Sequence, residues 1–427
     1  MGNFGTNSSS GNRFLLASAL LGALLSLMLS TGALAVDAIR VGFTAPLSGA
    51  AAASGKQLLI ALQLWRDDVN SRGGLLGRPL ELVYHDDENS PAHIPPLYRK
   101  LIAEDKVDLV LGPFGTNMAP AAMRVLLEFN RVTISILGVE VNRIFSNAKH
   151  FAMEPTGRDG ARAFSKGIFE LAASQTPKPE TVAILASESE FENKCAEAAR
   201  MTATEAGFKI IYDKRYPKDT VDFTSSIKEL QAANADVVFL SPASEGTAEL
   251  LRKINEVGLK AKLIGGAIPG LKDIALKAKL GPLLDGLVVA EDYAPALTTK
   301  FPGASEVLNR YRGASGPVTE GGPVGADVVL YAYAAGQVLA QAIESTKTVD
   351  SGELADFIHG HKFETVVGPV EYDADGEWTE TREMVVQFQR VSPNNFSQFA
   401  KNSVQPVLWP LQFKSGDLVY PYNPAKN

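Results

Sequence analysis

Residues Leu80–Pro91 place His85, Asp86, Asp87 and Glu88 in a row. A histidine beside carboxylates is the raw material of a divalent-cation site or of a hydrolytic base. Gly73, Gly74 and Gly77 precede this run within five residues, a density that a phosphate loop would also need. The order is wrong for phosphate, because such a loop follows a strand and ends in Lys-Ser/Thr before a helix. Here the glycines close a helical pattern and open a strand, and the acids precede a helix near Pro91, whose N-terminus favours negative charge. Punctuation is the reading we favour for the whole stretch. Nucleophiles are scarcer still. The chain contains no Gly-x-Ser-x-Gly, no His-Glu-x-x-His, no Walker A loop and no Gly-x-Gly-x-x-Gly. His359 and His361 form a lone pair that reads as structural or solvated. Asp373–Glu377 lacks the spacing of a calcium loop and reads as a hairpin turn between Val370–Tyr372 and Met384–Phe388. Cys195 lies on the stripe Cys195, Ala198, Ala199, Thr202, Ala206 and is expected in a core. One positive signal remains, Gly115-Thr116-Asn117, between an apolar run and a helical pattern. Free N–H groups at a helix start beside a hydroxyl would hold an anion without any lysine. The alternative is that Thr116 or Asn117 only caps its own helix.

These groups need elements to carry them. Nine short apolar runs, 39–44, 80–85, 107–112, 132–137, 181–185, 208–213, 235–240, 261–266 and 285–290, predict strands buried on both faces. Between them the apolar residues recur at helical spacing, as in Leu58, Ala61, Leu62, Trp65 and Val69. Strand and helix in alternation predict an α/β fold with doubly wound parallel sheets. Nine strands suit two sheets better than one.

At 427 residues the chain is long enough for two domains. A net charge of -7 gives no basic footprint, so nucleic acid is not an expected partner. One cysteine excludes an internal disulfide framework. After Arg13 an uncharged apolar run ends in Ala33-Leu34-Ala35, so 1–35 read as a cleavable signal peptide and Val36 as the first residue of an exported chain. An uncleaved membrane anchor is the rival. No cysteine follows to carry a lipid, and the opening MGNFGT fits a myristoylation pattern that we read as chance.

Seven stretches, in order, carry a family resemblance: IRVGFTAPLSGAAAASG, DDVNSRGGLLGRPLELVYHDDENSP, LVLGPFGT, FTSSIKELQAANADVVFLS, ELLRKINEVGL, ADVVLYAYAAGQVLAQAIE and VVGPVEYDADGE. From about Ala38 to Val391 the sequence resembles the periplasmic solute-binding proteins of the leucine/isoleucine/valine type, which feed ABC importers. The resemblance implies two lobes, 36–153 plus 292–357 and 154–291 plus 358–427, joined by a three-segment hinge with the ligand in the cleft between them. It places the carboxylate-binding hydroxyl on Thr116, flanked by Gly115 and Asn117. The next cleft segment falls on Leu137, Gly138, Val139 and Glu140, and a covering aromatic on Phe191. Ser54 and Ser244 (or Ala243) stand where relatives often carry tyrosine. The acid that pairs with an amino acid's ammonium would fall at Ala267, where there is none. Glu140 is then the substitute, or else the ligand is an amine-free or aromatic carboxylate. The resemblance implies a monomer that delivers its ligand to a membrane permease in the periplasm, without cofactor, metal or catalysis. A ligand sensor on the same fold is the alternative, and a secreted hydrolase built on His85 with Asp86 or Asp87 the remote one.

Overall fold

A computed structural model describes residues 1–2, 5, 37–49, 51–295, 300–315 and 326–422. The expected signal peptide thus lies almost wholly outside the described residues. No described helix is long and apolar enough to cross a membrane.

All nine sequence-read strands form. The first sheet has the order β2-β1-β3-β4-β5 and is parallel throughout. Its strands are β1 (Ile39–Ala45), β2 (Leu80–Asp86), β3 (Leu109–Phe114), β4 (Thr133–Ile136) and β5 (His150–Met153). The second sheet gathers β6 (Thr181–Ser187), β7 (Lys209–Tyr216), β8 (Val237–Ser241), β9 (Leu263–Gly266), β10 (Val288–Glu291), β13 (Met384–Gln387) and β14 (Val407–Trp409). Its order is β14-β13-β10-β9-β8-β6-β7, parallel except that β13 and β14 join antiparallel. Between them in sequence, β11 (Lys362–Thr365) and β12 (Gly368–Glu371) make a separate hairpin.

The continuous apolar runs have the cause expected of them. In β6, Ala183 and Leu185 face one core while Val182, Ile184 and Ala186 face another, so both sides of the second sheet are covered. In β3, Leu109 and Leu111 face the main core of the first sheet, and Val110 faces the smaller one beneath it.

Two expectations are corrected. The turn at Asp373–Glu377 exists, with the Asp373 carboxylate accepting from the N–H groups of Asp375 and Glu377 at 2.9 and 3.1 Å. It closes only on a Tyr372–Trp378 bridge and does not pair Val370–Tyr372 with Met384–Phe388. β12 pairs with β11, and β13 runs off to the other sheet. The reason is burial: Tyr372 and Trp378 both sink into the first core. Phe363, Val366, Val367 and Val370 go with them, although 358–427 were expected in the second lobe. The chain therefore crosses between sheets after β5, after β10 and between Trp378 and β13.

In the first core the helix Ala52–Ser71 packs Trp65 against the helix Ala326–Thr346 at Gly336. A Cβ at Gly336 would stand 2.4 Å from the indole. Gly336→Ala should gain roughly 1 kcal/mol of helix propensity but lose about 1–3 kcal/mol to overpacking. The net expected result is a lower urea midpoint; an unchanged or raised midpoint would show that the two helices separate freely.

Candidate ligand-binding cleft

Thr116 sits in the turn between β3 and the helix Ala119–Glu128. Gly115, at φ +84°, makes that turn and donates its N–H to the Ile136 carbonyl at 2.9 Å. Thr116 is 4% exposed, and its Oγ1 accepts a hydrogen bond from the Val139 N–H at 3.0 Å. Its own hydroxyl proton is thereby left to donate elsewhere. The helix has no side-chain cap, so the capping alternative for Thr116 and Asn117 does not hold. Asn117 Oδ1 accepts instead from the N–H of Phe191, at the start of the helix Glu190–Glu205 beyond β6, at 3.1 Å.

The segment after β4 is strained. Leu137 and Glu140 both have φ +55°, a conformation that non-glycine residues adopt at a cost. Leu137 packs into the first core, while Val139, past Gly138, packs with Ala161, Phe164 and Ala267 in a core of the second sheet. Glu140 Oε1 accepts from the Ala161 N–H at 3.2 Å. The same carboxylate pairs with Arg143 at 2.8 Å and with Lys194 at 3.8 Å. Its charge is thus committed to two cations, which argues against the ammonium role expected for it. Glu140 acts as a latch between elements of the two sheets.

Phe191 is half-buried and meets Phe164 edge-on, with ring centroids 5.2 Å apart. Ala267 is buried in the same cluster. Hydrogen bonds thus join the turn Gly115-Thr116-Asn117 to Ile136, to Val139 on the segment Leu137-Gly138-Val139-Glu140, and to Phe191, while Ala267 shares a buried cluster with Val139 and Phe191. Ser54, half-buried in the first turn of its helix, and Ser244, exposed at the start of a short 3-10 turn, share no hydrogen bond with that group among the described residues.

The acidic run at the end of β2 scatters. His85 pairs with Asp105 at 2.8 Å, Asp86 accepts from the Leu47 and Glu88 N–H groups, and Asp87 accepts from the Asn89 N–H. Each of these side chains thus has a partner of its own, an arrangement in keeping with the punctuation reading. His359 faces the carbonyls of Ala148 and Asp373, and His361 stacks on Phe357. Cys195 is fully buried, and burial pushes its thiol well above the usual range.

One acid was missed. Glu192, beside Phe191, is only 2% exposed, and its Oε2 has no hydrogen-bond partner among the described residues. Burial, helped by the nearby Glu245, pushes its pKa up to about 7, against hydrogen bonds from its own N–H and from Ser189. The Tyr216 hydroxyl at the end of β7 lies within its field. The Ser241 hydroxyl at the end of β8 is likewise buried without a well-formed hydrogen bond. All three lie toward the carboxyl ends of the parallel strands, where open α/β sheets hold ligands. A signal existed: Glu192 continues the Cys195 stripe back by three residues, which puts an acid on a buried helix face.

Two open α/β sheets, one parallel and one mixed, linked by three crossovers and bridged by side-chain contacts, define a two-lobed architecture. Residues 38–392 match the family model described as periplasmic binding protein, and the chain belongs to that family. An "Amino acid binding protein" of Pseudomonas aeruginosa is 25% identical over 349 residues, covering 82% of this chain and 89% of that one. Among solved structures, the branched-chain amino acid transporter substrate-binding protein LivJ of Streptococcus pneumoniae, in complex with isoleucine, superposes with a TM-score of 0.71. It is 20% identical, over 88% of this chain and 100% of that one. A solute-binding protein of an ABC transporter from Rhodopseudomonas palustris BisB5, in complex with 3,4-dihydroxybenzoic acid, gives 0.69 at 20% identity, over 83% and 93%. The printed names of these proteins are those of amino-acid- or solute-binding proteins.

Proposed function

We propose that the chain captures a small carboxylate between two lobes, 36–153 plus 292–357 with the hairpin residues to Trp378, and 154–291 plus the remainder. It then hands that ligand to the membrane permease of an ABC importer, working as an exported, periplasmic monomer. The observation that carries this reading is the Thr116 hydroxyl, held by the Val139 N–H and left with a proton to give to an anion. Glu192, not Ala267 or Glu140, is the group we assign to a ligand's ammonium, because it is buried beside Phe191 and no ion pair commits its charge among the described residues, whereas Glu140 is paired with Arg143 and Lys194. The ligand class is then an amino acid. The 3,4-dihydroxybenzoic acid complex of the Rhodopseudomonas relative keeps the amine-free aromatic acids as the second reading.

Thr116→Ala should weaken carboxylate binding by about 1–3 kcal/mol, the worth of a hydrogen bond to a charged group. Isothermal titration of the mature chain measures this, and unchanged affinity would remove Thr116 from the site. The ligand class is tested by thermal shift with branched-chain amino acids beside their des-amino and aromatic counterparts. Ligand at a hundred times its dissociation constant adds about 2.7 kcal/mol. A shift with leucine or valine alone supports amine recognition; a shift with amine-free acids alone overturns it.

A further inference from the structure

Three acids meet where the chain crosses between its sheets. Glu154 follows the last residue of β5, Asp292 follows β10 and Glu383 precedes β13, one from each crossover. Each offers a carboxylate oxygen, and the three oxygens lie within 4.8 Å of one another. All three side chains are buried, at 2%, 1% and 0% exposure. Among the described residues both oxygens of Glu383, Glu154 Oε1 and Asp292 Oδ1 lack a well-formed hydrogen bond, although the Glu383 and Asp292 carboxyls lie close enough to share a proton.

The surrounding charges do not balance these acids. Lys272 pairs with Asp292, but it also serves Asp327 at 3.5 Å. Lys277 is taken by Glu291 at 3.2 Å. Glu377 adds a further negative field at Glu154. The Tyr331 hydroxyl reaches only the backbone carbonyl of Asp292, at 3.0 Å. Four carboxylates, Glu154, Asp292, Asp327 and Glu383, therefore share one ammonium. Buried charge of one sign is not tolerated without compensation. Two agents can supply it here, protons held on the carboxyls or a cation bound among them. Burial and mutual repulsion raise Glu154 and Glu383 well above the ordinary carboxylate range, so protons are a real competitor.

The donor set favours the cation. Three carboxylates converge, and no imidazole or thiolate belongs to the group. An all-oxygen set suits hard divalent ions and disfavours zinc or copper. We propose that Glu154, Asp292 and Glu383 bind a hard divalent cation of the calcium or manganese class, which ties the three crossovers together. The occupied site stiffens the hinge at the one place where all three segments meet.

The test uses the full mature chain, dialysed against a chelator and then titrated with calcium chloride or manganese chloride. The melting temperature should rise with either ion at concentrations up to about 1 mM, the range of extracellular calcium modules. Terbium should luminesce when Tyr331 is excited, and calcium should quench that signal by displacement. Glu383→Gln, which keeps the shape and removes one charge, should weaken cation affinity at least tenfold. Indifference of the unmutated chain to calcium, manganese and terbium overturns the proposal, whether or not the variant folds. A Glu383→Gln protein that melts higher at neutral pH and ignores cations would assign the cluster to held protons instead.

Discussion

Glu192→Gln should make the ligand-free protein more stable at pH 8 while crippling its affinity for amine-bearing ligands. The first effect follows from the direction of the Glu192 shift, up from 4.5 to about 7. The folded state holds that proton more tightly than the unfolded chain does. Stability is therefore highest below the unfolded value, falls as pH rises between 4.5 and about 7, and stays flat above. At 1.36 kcal/mol per pH unit the loss comes to about 3 kcal/mol. Glutamine cannot ionise, so its curve should lack that fall. Urea unfolding at pH 5 and pH 8 reads it directly, and parallel curves for the two proteins would place the pH dependence elsewhere. The second effect has the opposite sign. An ammonium opposite Glu192 supplies the missing partner, and removing one side of a buried ion pair costs about 3–5 kcal/mol. Leucine should then bind more than a hundredfold more weakly to the variant. It should also release protons on binding to the wild type at pH 7, visible as a buffer-dependent heat. Unchanged leucine affinity would sink the ammonium role.

Gly160→Ala should strike at closure. Gly160 sits at φ +55°, ψ −135°, a conformation close to glycine's alone, on the segment that receives Glu140. A Cβ there would stand 1.9 Å from Glu140 Oε1. The backbone strain costs about 1–3 kcal/mol, and the latch to the Ala161 N–H must also move. If the Glu140 contact belongs to the ligand-bound arrangement proposed above, ligand affinity should fall roughly ten- to a hundredfold. Glu140→Ala in the same chain should restore part of that loss by making room, whereas the backbone part should remain. A double-mutant cycle separates the two. Wild-type affinity in Gly160→Ala would mean that the Glu140 contact plays no part in closure.

The sequence was most legible where burial is two-sided. Strands such as β6 and β8 announce themselves because both faces meet a core. The strands that escaped notice are short or one-sided: β5 contains only His150–Met153, β14 only Val407–Trp409, between prolines, and β11 (Lys362–Thr365) buries only Phe363 and Thr365. β13 was seen as a strand but given the wrong neighbour, since nothing in Met384–Phe388 says which sheet it will join. At the junction, Thr116 was legible from its glycine turn ahead of a helix. Val139, Glu140 and Phe191 came from resemblance alone. Glu192 was hidden because acids in a helix's first turn are ordinary complements to its dipole; only the Cys195 stripe betrays its burial. Glu154, Asp292 and Glu383 are so far apart in the chain that only the fold brings them together.

The late arrival of β13 and β14 bears on how the polypeptide is made. Ribosomal synthesis delivers β1 to β5 first, yet their core still lacks the helices Ala304–Ser315 and Ala326–Thr346 and the hairpin that carries Phe363. The second sheet lacks Val386 and Val407 until later still. Neither half can complete its packing until nearly the whole chain has emerged, because long-range pairings form only after their loops close. A nascent chain wired in this way stays threadable for most of its synthesis, and both halves lock together at the end.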